Sequence, residues 1–160
     1  MSKTLVAFFS ASGVTKKVSS KLASVLNADL HEIVPEKPYS QNDLEWTNEN
    51  SRSTIEMKKD RSIRPKIANK VGNMKQYDVV YIGFPIWWYI APTIINTFLE
   101  QYDLTGKKII PFATSGGSGM GNTNKELQPS CVGAKLLEGK CFSKDVSEAE
   151  LKDWASSLKY

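Results

Sequence analysis

Three short stretches of this chain carry groups able to bind or react. Ser10-Ala11-Ser12-Gly13-Val14-Thr15 places three hydroxyls and a run of backbone N–H groups where an apolar segment gives way to helical spacing. Helix N-termini attract anions through unpaired N–H groups and the macrodipole, and Gly13 permits a tight turn. A phosphate monoester suits such a loop; the plainer reading is an ordinary Ser cap after a strand. G-x-x-x-x-G-K-[ST] and G-x-G-x-x-G do not occur, so two common nucleotide fingerprints are absent.

The second stretch, Val79 to Tyr89, reads VVYIGFPIWWY. An apolar run ends at Gly83 and meets Pro85, Ile86, Trp87, Trp88 and Tyr89, an aromatic loop able to stack on a flat ring. Core packing is the plainer alternative. Adjacent residues of extended chain point opposite ways, so one tryptophan is expected to face inward and the other not. The third stretch, Thr114-Ser115-Gly116-Gly117-Ser118-Gly119-Met120-Gly121, has little side-chain bulk and lets backbone approach a ligand closely. Alone it reads as a flexible turn. A phosphate cradle, an aromatic wall and a backbone edge on one crevice are what a flavin mononucleotide (FMN) needs.

The surrounding elements must bring these loops together. Lys3 to Phe9 is a nearly continuous apolar run, as in a strand covered on both faces. Val14, Val18, Leu22, Val25 and Leu26 then recur at helical spacing. Leu30 to Val34 reads as a second strand stopped by Pro35, Asp78 to Phe84 as a third, Lys107 to Ala113 as a fourth and Ala134 to Phe142 as a fifth. Lys66 to Met74 is expected to form a short helix. Pro92 opens another that buries Ile94, Ile95, Phe98, Leu99 and Tyr102. Ser147-Glu148-Ala149-Glu150 is a capping box for the last, which buries Leu151, Trp154, Ala155 and Leu158. Between them lies a long polar segment, Glu36 to Pro65, of a length that is often functional or mobile.

Alternating strands and helices imply an α/β fold, a doubly wound five-stranded parallel sheet with helices on both faces. With strand order 2-1-3-4-5 the loops after strands 1, 3 and 4 become neighbours at the carboxyl edge, where such sheets bind ligands. The 160 residues suit one domain, 1–160, with an insertion at about 36–65. A net charge of +4 lacks the dense basic stripe of a nucleic-acid binder, and no apolar run is long enough to cross a membrane. Cys131 and Cys141 lack C-x-x-C spacing, and one histidine, His31, advertises no metal site. Two free thiols and a cytoplasmic setting are expected.

The chain resembles the flavodoxin family. Ser10 to Thr15 is similar to that family's T-x-T-G-x-T phosphate loop, with Val14 and Lys16 where Asn and Glu are frequent. Gly83-Phe84-Pro85-Ile86-Trp87-Trp88-Tyr89, Pro92 and Phe98-Leu99 resemble the G-x-P-I-W-W-x-x-x-P…F-L stretch of a bacterial flavodoxin-like subgroup. Pro111 to Gly117 resembles its third loop, and Trp46 to Ser53 its insertion. The resemblance implies noncovalent FMN, its phosphate held by Ser10, Ser12, Gly13, Val14 and Thr15. Pro85 to Tyr89 border the ribityl chain and ring, and Thr114, Ser115, Gly116 and Gly117 face the pyrimidine edge. No side chain need be catalytic.

Two departures separate the chain from electron-carrier flavodoxins, which are typically acidic and place near the flavin a glycine whose peptide flips on reduction. This chain is basic, and Pro85 to Ala91 contains no glycine. The leading expectation is an FMN-binding redox protein, monomer or homodimer, that exchanges electrons with a partner protein or a small acceptor. An FMN-dependent NAD(P)H or quinone reductase is the alternative, with Trp46 and Arg52 as candidate contacts in the insertion; surface packing and a solvated charge are the preferred reading of those two. A non-redox module binding a phosphorylated ligand or a protein is the third.

Overall fold

The computed structural model describes residues 3–115 and 119–158. In chain order the elements are β1 (Lys3–Phe8), α1 (Val14–Leu26), β2 (Asp29–Glu32), α2 (Arg52–Thr54), β3 (Tyr77–Pro85), α3 (Thr93–Glu100), β4 (Lys108–Thr114), α4 (Thr123–Leu127), β5 (Lys135–Leu136), β6 (Lys140–Phe142) and α5 (Glu148–Ser157). All strand pairings are parallel, in the order β2-β1-β3-β4-β5, with β6 also on β4. The expected 2-1-3-4-5 order is therefore the observed one.

The near-continuous apolar strands are explained by two cores. On β1 and β3, Leu5, Ala7, Val80, Ile82 and Phe84 face one core with Ile94, Ile95 and Phe98 of α3. Val6, Val79 and Tyr81 face the other, with Val18 and Leu22 of α1 and Leu151 and Trp154 of α5. Side chains alternate across a strand, so a sheet with helices on both faces needs apolar residues at every position. Each such side chain, fully buried, contributes roughly 1.5–3 kcal/mol. As expected, Ser147 caps α5, accepting from Glu150 N at 3.1 Å.

The fifth strand departs from expectation by splitting in two. Ile109 O accepts from Leu137 N at 2.9 Å, and the next ladder bond would need an N–H from Pro111, which has none. Leu137 O instead accepts from Asn124 Nδ2 at 2.7 Å. Pairing resumes at Phe112 and Lys140 with one extra residue on the outer side, the signature of a bulge.

No α-helix forms at 66–74, and only a single 3-10 turn, Met74–Gln76, starts at its end. Glu36 N donates to Lys66 O and Ala68 N to Val34 O, so Pro35 and Ile67 make an antiparallel bridge. The Asn69 amide secures the same turn, accepting from Val34 N and donating to Glu32 O. These contacts satisfy the backbone groups that a helix would have used. The second strand sits at the sheet edge, leaving Leu30 and Val34 exposed. Among the described residues, no helix is long and apolar enough to cross a membrane.

Candidate functional site

The loops after β1, β3 and β4 leave the sheet at one edge. The first begins with Phe9 N donating to Gly83 O at 2.9 Å. Ser10 Oγ then accepts from Gly13 N at 3.0 Å, and Gly13 takes φ 93°, a left-handed conformation suited to glycine. Gly13, not a serine, is the N-cap of α1, and no side chain caps the helix. The first-turn N–H groups lack intrahelical acceptors, and no acidic residue sits in that turn to neutralise its positive end. Thr15 is buried and its Oγ1 lies 2.7 Å from Thr114 Oγ1, tying the first loop to the end of β4.

The aromatic loop is a tight turn. Trp87 N donates to Ile90 O at 2.9 Å and Ile90 N to Trp87 O at 3.2 Å. Its central residues, Trp88 (φ 49°) and Tyr89 (φ 68°), both occupy the left-handed region where Asn-Gly is the usual choice. That conformation costs about 1–2 kcal/mol for each residue with a Cβ. Trp87 is the tryptophan that faces inward, packing edge-on against Phe9 (5.7 Å) and Tyr39 (5.3 Å). Trp88 is half-buried and Tyr89 is 70% exposed. The glycine loop backs this turn: a Cβ at Gly121 would lie 2.1 Å from Tyr89 O.

Two clefts flank the Pro85–Trp87 wall. The first, about 870 Å³, is lined by Ser12, Val14, Pro85, Ile86, Trp87, Thr114 and Ser115, with Ser143, Lys144 and Asp145 on its far side. The second, about 430 Å³, is lined by Ala11, Ser12, Pro85, Ile86, Trp87, Trp88 and Tyr89 and, from the insertion, Leu44, Trp46 and Ser53.

The insertion is folded rather than loose. Ser40 N and Asp43 N exchange bonds with the Asp43 carboxylate and Ser40 hydroxyl, and Ser51 caps α2 through Thr54 N. A wide helical turn, Ile55–Lys59, follows and buries Glu56 and Met57. Glu56 accepts from Tyr39 Oη at 2.5 Å and Arg52 Nε at 2.9 Å. Arg52 also donates to Lys37 O at 2.6 Å, and its guanidinium lies 3.8 Å from the Tyr39 ring centroid. Burial, reinforced by the bond to Glu56, pushes the Tyr39 hydroxyl far above its ordinary value. Arg52 is therefore not the solvated charge expected of it. It holds Tyr39, which in turn packs on Trp87.

A model of the family described as flavodoxin matches residues 3–158. The chain belongs to the flavodoxin family. Among solved structures, a chain described as a flavoprotein from Bacteroides eggerthii is 43% identical, with TM-score 0.92 over 99% of this chain and 100% of that one. Another so described, from Bacteroides uniformis, is 44% identical with TM-score 0.91, covering 98% and 99%. A flavoprotein from Lactobacillus acidophilus, solved in complex with FMN, is 22% identical with TM-score 0.73 over 97% and 99%, and shares the fold. Among curated proteins, none matches the chain.

Within this flavodoxin fold, Ser12, Val14, Pro85, Ile86, Trp87, Thr114 and Ser115 meet on the first cleft. Ala11, Trp88 and Tyr89 line the second instead. Ser10 and Thr15 have hydroxyls engaged within the loops, and Gly116 and Gly117 lie outside the described residues. Sequence reasoning missed Ser143, Lys144 and Asp145, which follow β6, and Tyr39, Leu44 and Ser53 of the insertion. The end of the fifth strand was a readable signal for the former, since every strand here releases its chain at the same edge. For the latter no local pattern exists. Trp46, read as surface packing, is 72% exposed and stands at the second cleft.

Proposed function

We propose that the chain is an FMN-binding redox protein that transfers electrons between partners. The cofactor is FMN, and the residues of the first cleft fit it. The uncapped start of α1 and the open space around Gly13 offer an anion site at one end. Trp87 and Ile86 offer an apolar wall, and Thr114 and Ser115 polar groups beyond it. The first-turn N–H groups and Ser12 would hold the phosphate, with Ser10 and Thr15 shaping the loop. Pro85 to Trp87 would border the ring and exclude water from one side of it. Bound FMN supplies reversible electron transfer; the protein positions it and sets its surroundings.

The observation that carries this reading is the convergence of three strand-end loops on one cleft beside an uncapped helix N-terminus, in a chain of the flavodoxin family. The test is titration of the purified chain with FMN, followed by visible absorbance through an anaerobic photoreduction. A perturbed flavin band that bleaches reversibly is expected. An unchanged flavin spectrum with no binding heat would sink the reading and favour a non-redox module for a phosphorylated ligand or a protein.

The electron partner is either a redox protein or a small acceptor. The second cleft favours a second reading, an FMN-dependent NAD(P)H or quinone reductase, because a pure carrier has no use for a second cavity beside the cofactor. Steady oxidation of NAD(P)H by a quinone in the presence of the loaded protein would establish it. Cys131 and Cys141 form no disulfide, which suits a reducing, cytoplasmic setting.

A further inference from the structure

The turn after β6 borders the first cleft, and it carries charge. Lys144 and Asp145 line that cleft together with Ser12 and Val14 at the start of α1. The turn is closed by Val146 N donating to Ser143 O at 3.2 Å. Buried Phe142 and Val146 anchor it at both ends, and Lys21 of α1 donates to Val146 O at 2.9 Å. Lys144 is therefore an exposed side chain on a fixed backbone, tied to the helix whose N-terminus shares its cleft.

Among the described residues, Lys144 is the one cation lining this cleft, and its ammonium makes no ion pair. Lys16, in the first turn of α1, is by contrast matched by Glu32 at 3.9 Å. Asp145 opposes Lys144, but the Lys21 ammonium sits on the carbonyl of the next residue and offsets it. A phosphate monoester carries about −1.5 to −2 charges at neutral pH, whereas a helix N-terminus supplies only about +0.5. Roughly one negative charge is left over, and the Ser10–Thr15 loop holds no cationic side chain to meet it.

We infer that Lys144 pairs with the phosphate of the bound flavin and makes the site select a phosphorylated flavin over riboflavin. The inference rests on the FMN reading for its ligand. The start of α1 offers fixed N–H groups to the phosphate, and Lys144 adds a full charge from a different element of the fold. Lysine suits this task, because its flexible four-carbon stem carries a point charge across a cleft. Such a pair stays open to solvent, so salt weakens it. A cation acting on the flavin ring would affect FMN and riboflavin alike, whereas a charge pair with the phosphate acts on FMN alone.

The test is isothermal titration calorimetry on the parent, Lys144→Gln, Lys144→Arg and Asp145→Asn. The probes are FMN, riboflavin and inorganic phosphate, at about 20 mM and about 200 mM salt. Both positions are exposed on a turn, so the variants retain the fold, checked by circular dichroism. Lys144→Gln is expected to weaken FMN about fivefold to tenfold at low salt and to flatten the salt dependence of FMN binding. Riboflavin affinity should stay within about twofold, and Lys144→Arg should hold FMN as the parent does. Asp145→Asn should tighten FMN about twofold to threefold. FMN held equally by the parent and Lys144→Gln, or riboflavin weakened in step with FMN, overturns the inference and leaves the FMN reading intact. Phosphate binding that Lys144→Gln loses, in a chain that takes no flavin, supports the role of Lys144 and removes the FMN reading instead. A parent that binds neither flavin nor phosphate overturns both.

Discussion

Replacing Glu56 by Ala tests whether the insertion is a buttress for the site. Its carboxylate takes two donors at once, Tyr39 Oη at 2.5 Å and Arg52 Nε at 2.9 Å, and its side chain is 7% exposed. Removing it deletes a charge-assisted bond worth about 1.5–3 kcal/mol and strands a tyrosine hydroxyl at about 1–3 kcal/mol. Arg52, with 22% of its side chain exposed, recovers part of the loss by rehydration, which leaves about 3 kcal/mol. For a chain of this size that corresponds to a Tm lowered by roughly 6–12 °C. Glu56→Gln keeps an acceptor for Tyr39 and loses the charge, so about 1 kcal/mol, or roughly 2–4 °C, is expected. Scanning calorimetry and urea titration on both variants read these values. FMN affinity should fall with the Ala variant, since Tyr39 packs on Trp87 at 5.3 Å and Trp87 borders both clefts. Equal Tm values for the parent and Glu56→Ala, or equal losses for the two variants, would refute the reasoning.

Other outcomes follow from single contacts. Tyr89→Gly relieves a left-handed residue that is mostly exposed, so stability should rise by about 1 kcal/mol; a lower Tm would contradict the strain. Gly83→Ala places a Cβ 2.3 Å from Phe112 Cζ in a buried pocket, and urea titration should show a loss of about 1–3 kcal/mol, partly restored by Phe112→Leu. Burial holds the His31 pKa below its ordinary value, against the pull of Glu32. The unfolded chain therefore takes up a proton that the folded chain resists. This erodes stability as pH falls through about 6.5 and levels off below the folded pKa. The difference between parent and His31→Asn in urea midpoint should accordingly shrink or invert between pH 7.5 and pH 5; a constant difference would exclude the effect. Burial also pushes the Tyr77 hydroxyl up to about 12, helped by its bond to Asp29. Tyr77 therefore favours folding below its unfolded pKa of about 10, and Tyr77→Phe should flatten the loss of stability seen as pH rises from there towards 12.

The strands were legible in the sequence because they depend on local pattern, and their order was legible only through the flavodoxin resemblance. Continuous apolar runs such as Leu5 to Phe9 and Val79 to Phe84 identify strands covered on both faces. Strand ends marked by Ser10–Gly13, Pro85 and Thr114 identify the ligand edge. Failures occurred where distant residues decide. Lys66 to Met74 has helical spacing, yet Val34, Glu36 and Asn69 offer its backbone other partners. The fifth strand breaks because Pro111, on a neighbouring strand, has no N–H to give. The Ser10–Thr15 motif was visible, but that Gly13 rather than a serine ends at the helix cap depends on the turn actually adopted. Sequence alone named the aromatic loop; tertiary structure decided that Trp87 turns inward onto Phe9 and Tyr39 while Trp88 and Tyr89 face a second cleft. That cleft was invisible beforehand, because Trp46 and Ser53 reach it only through a folded insertion held by Arg52 and Glu56. Periodicity records which face of an element is buried, whereas a cavity between elements is set by contacts that no single segment encodes.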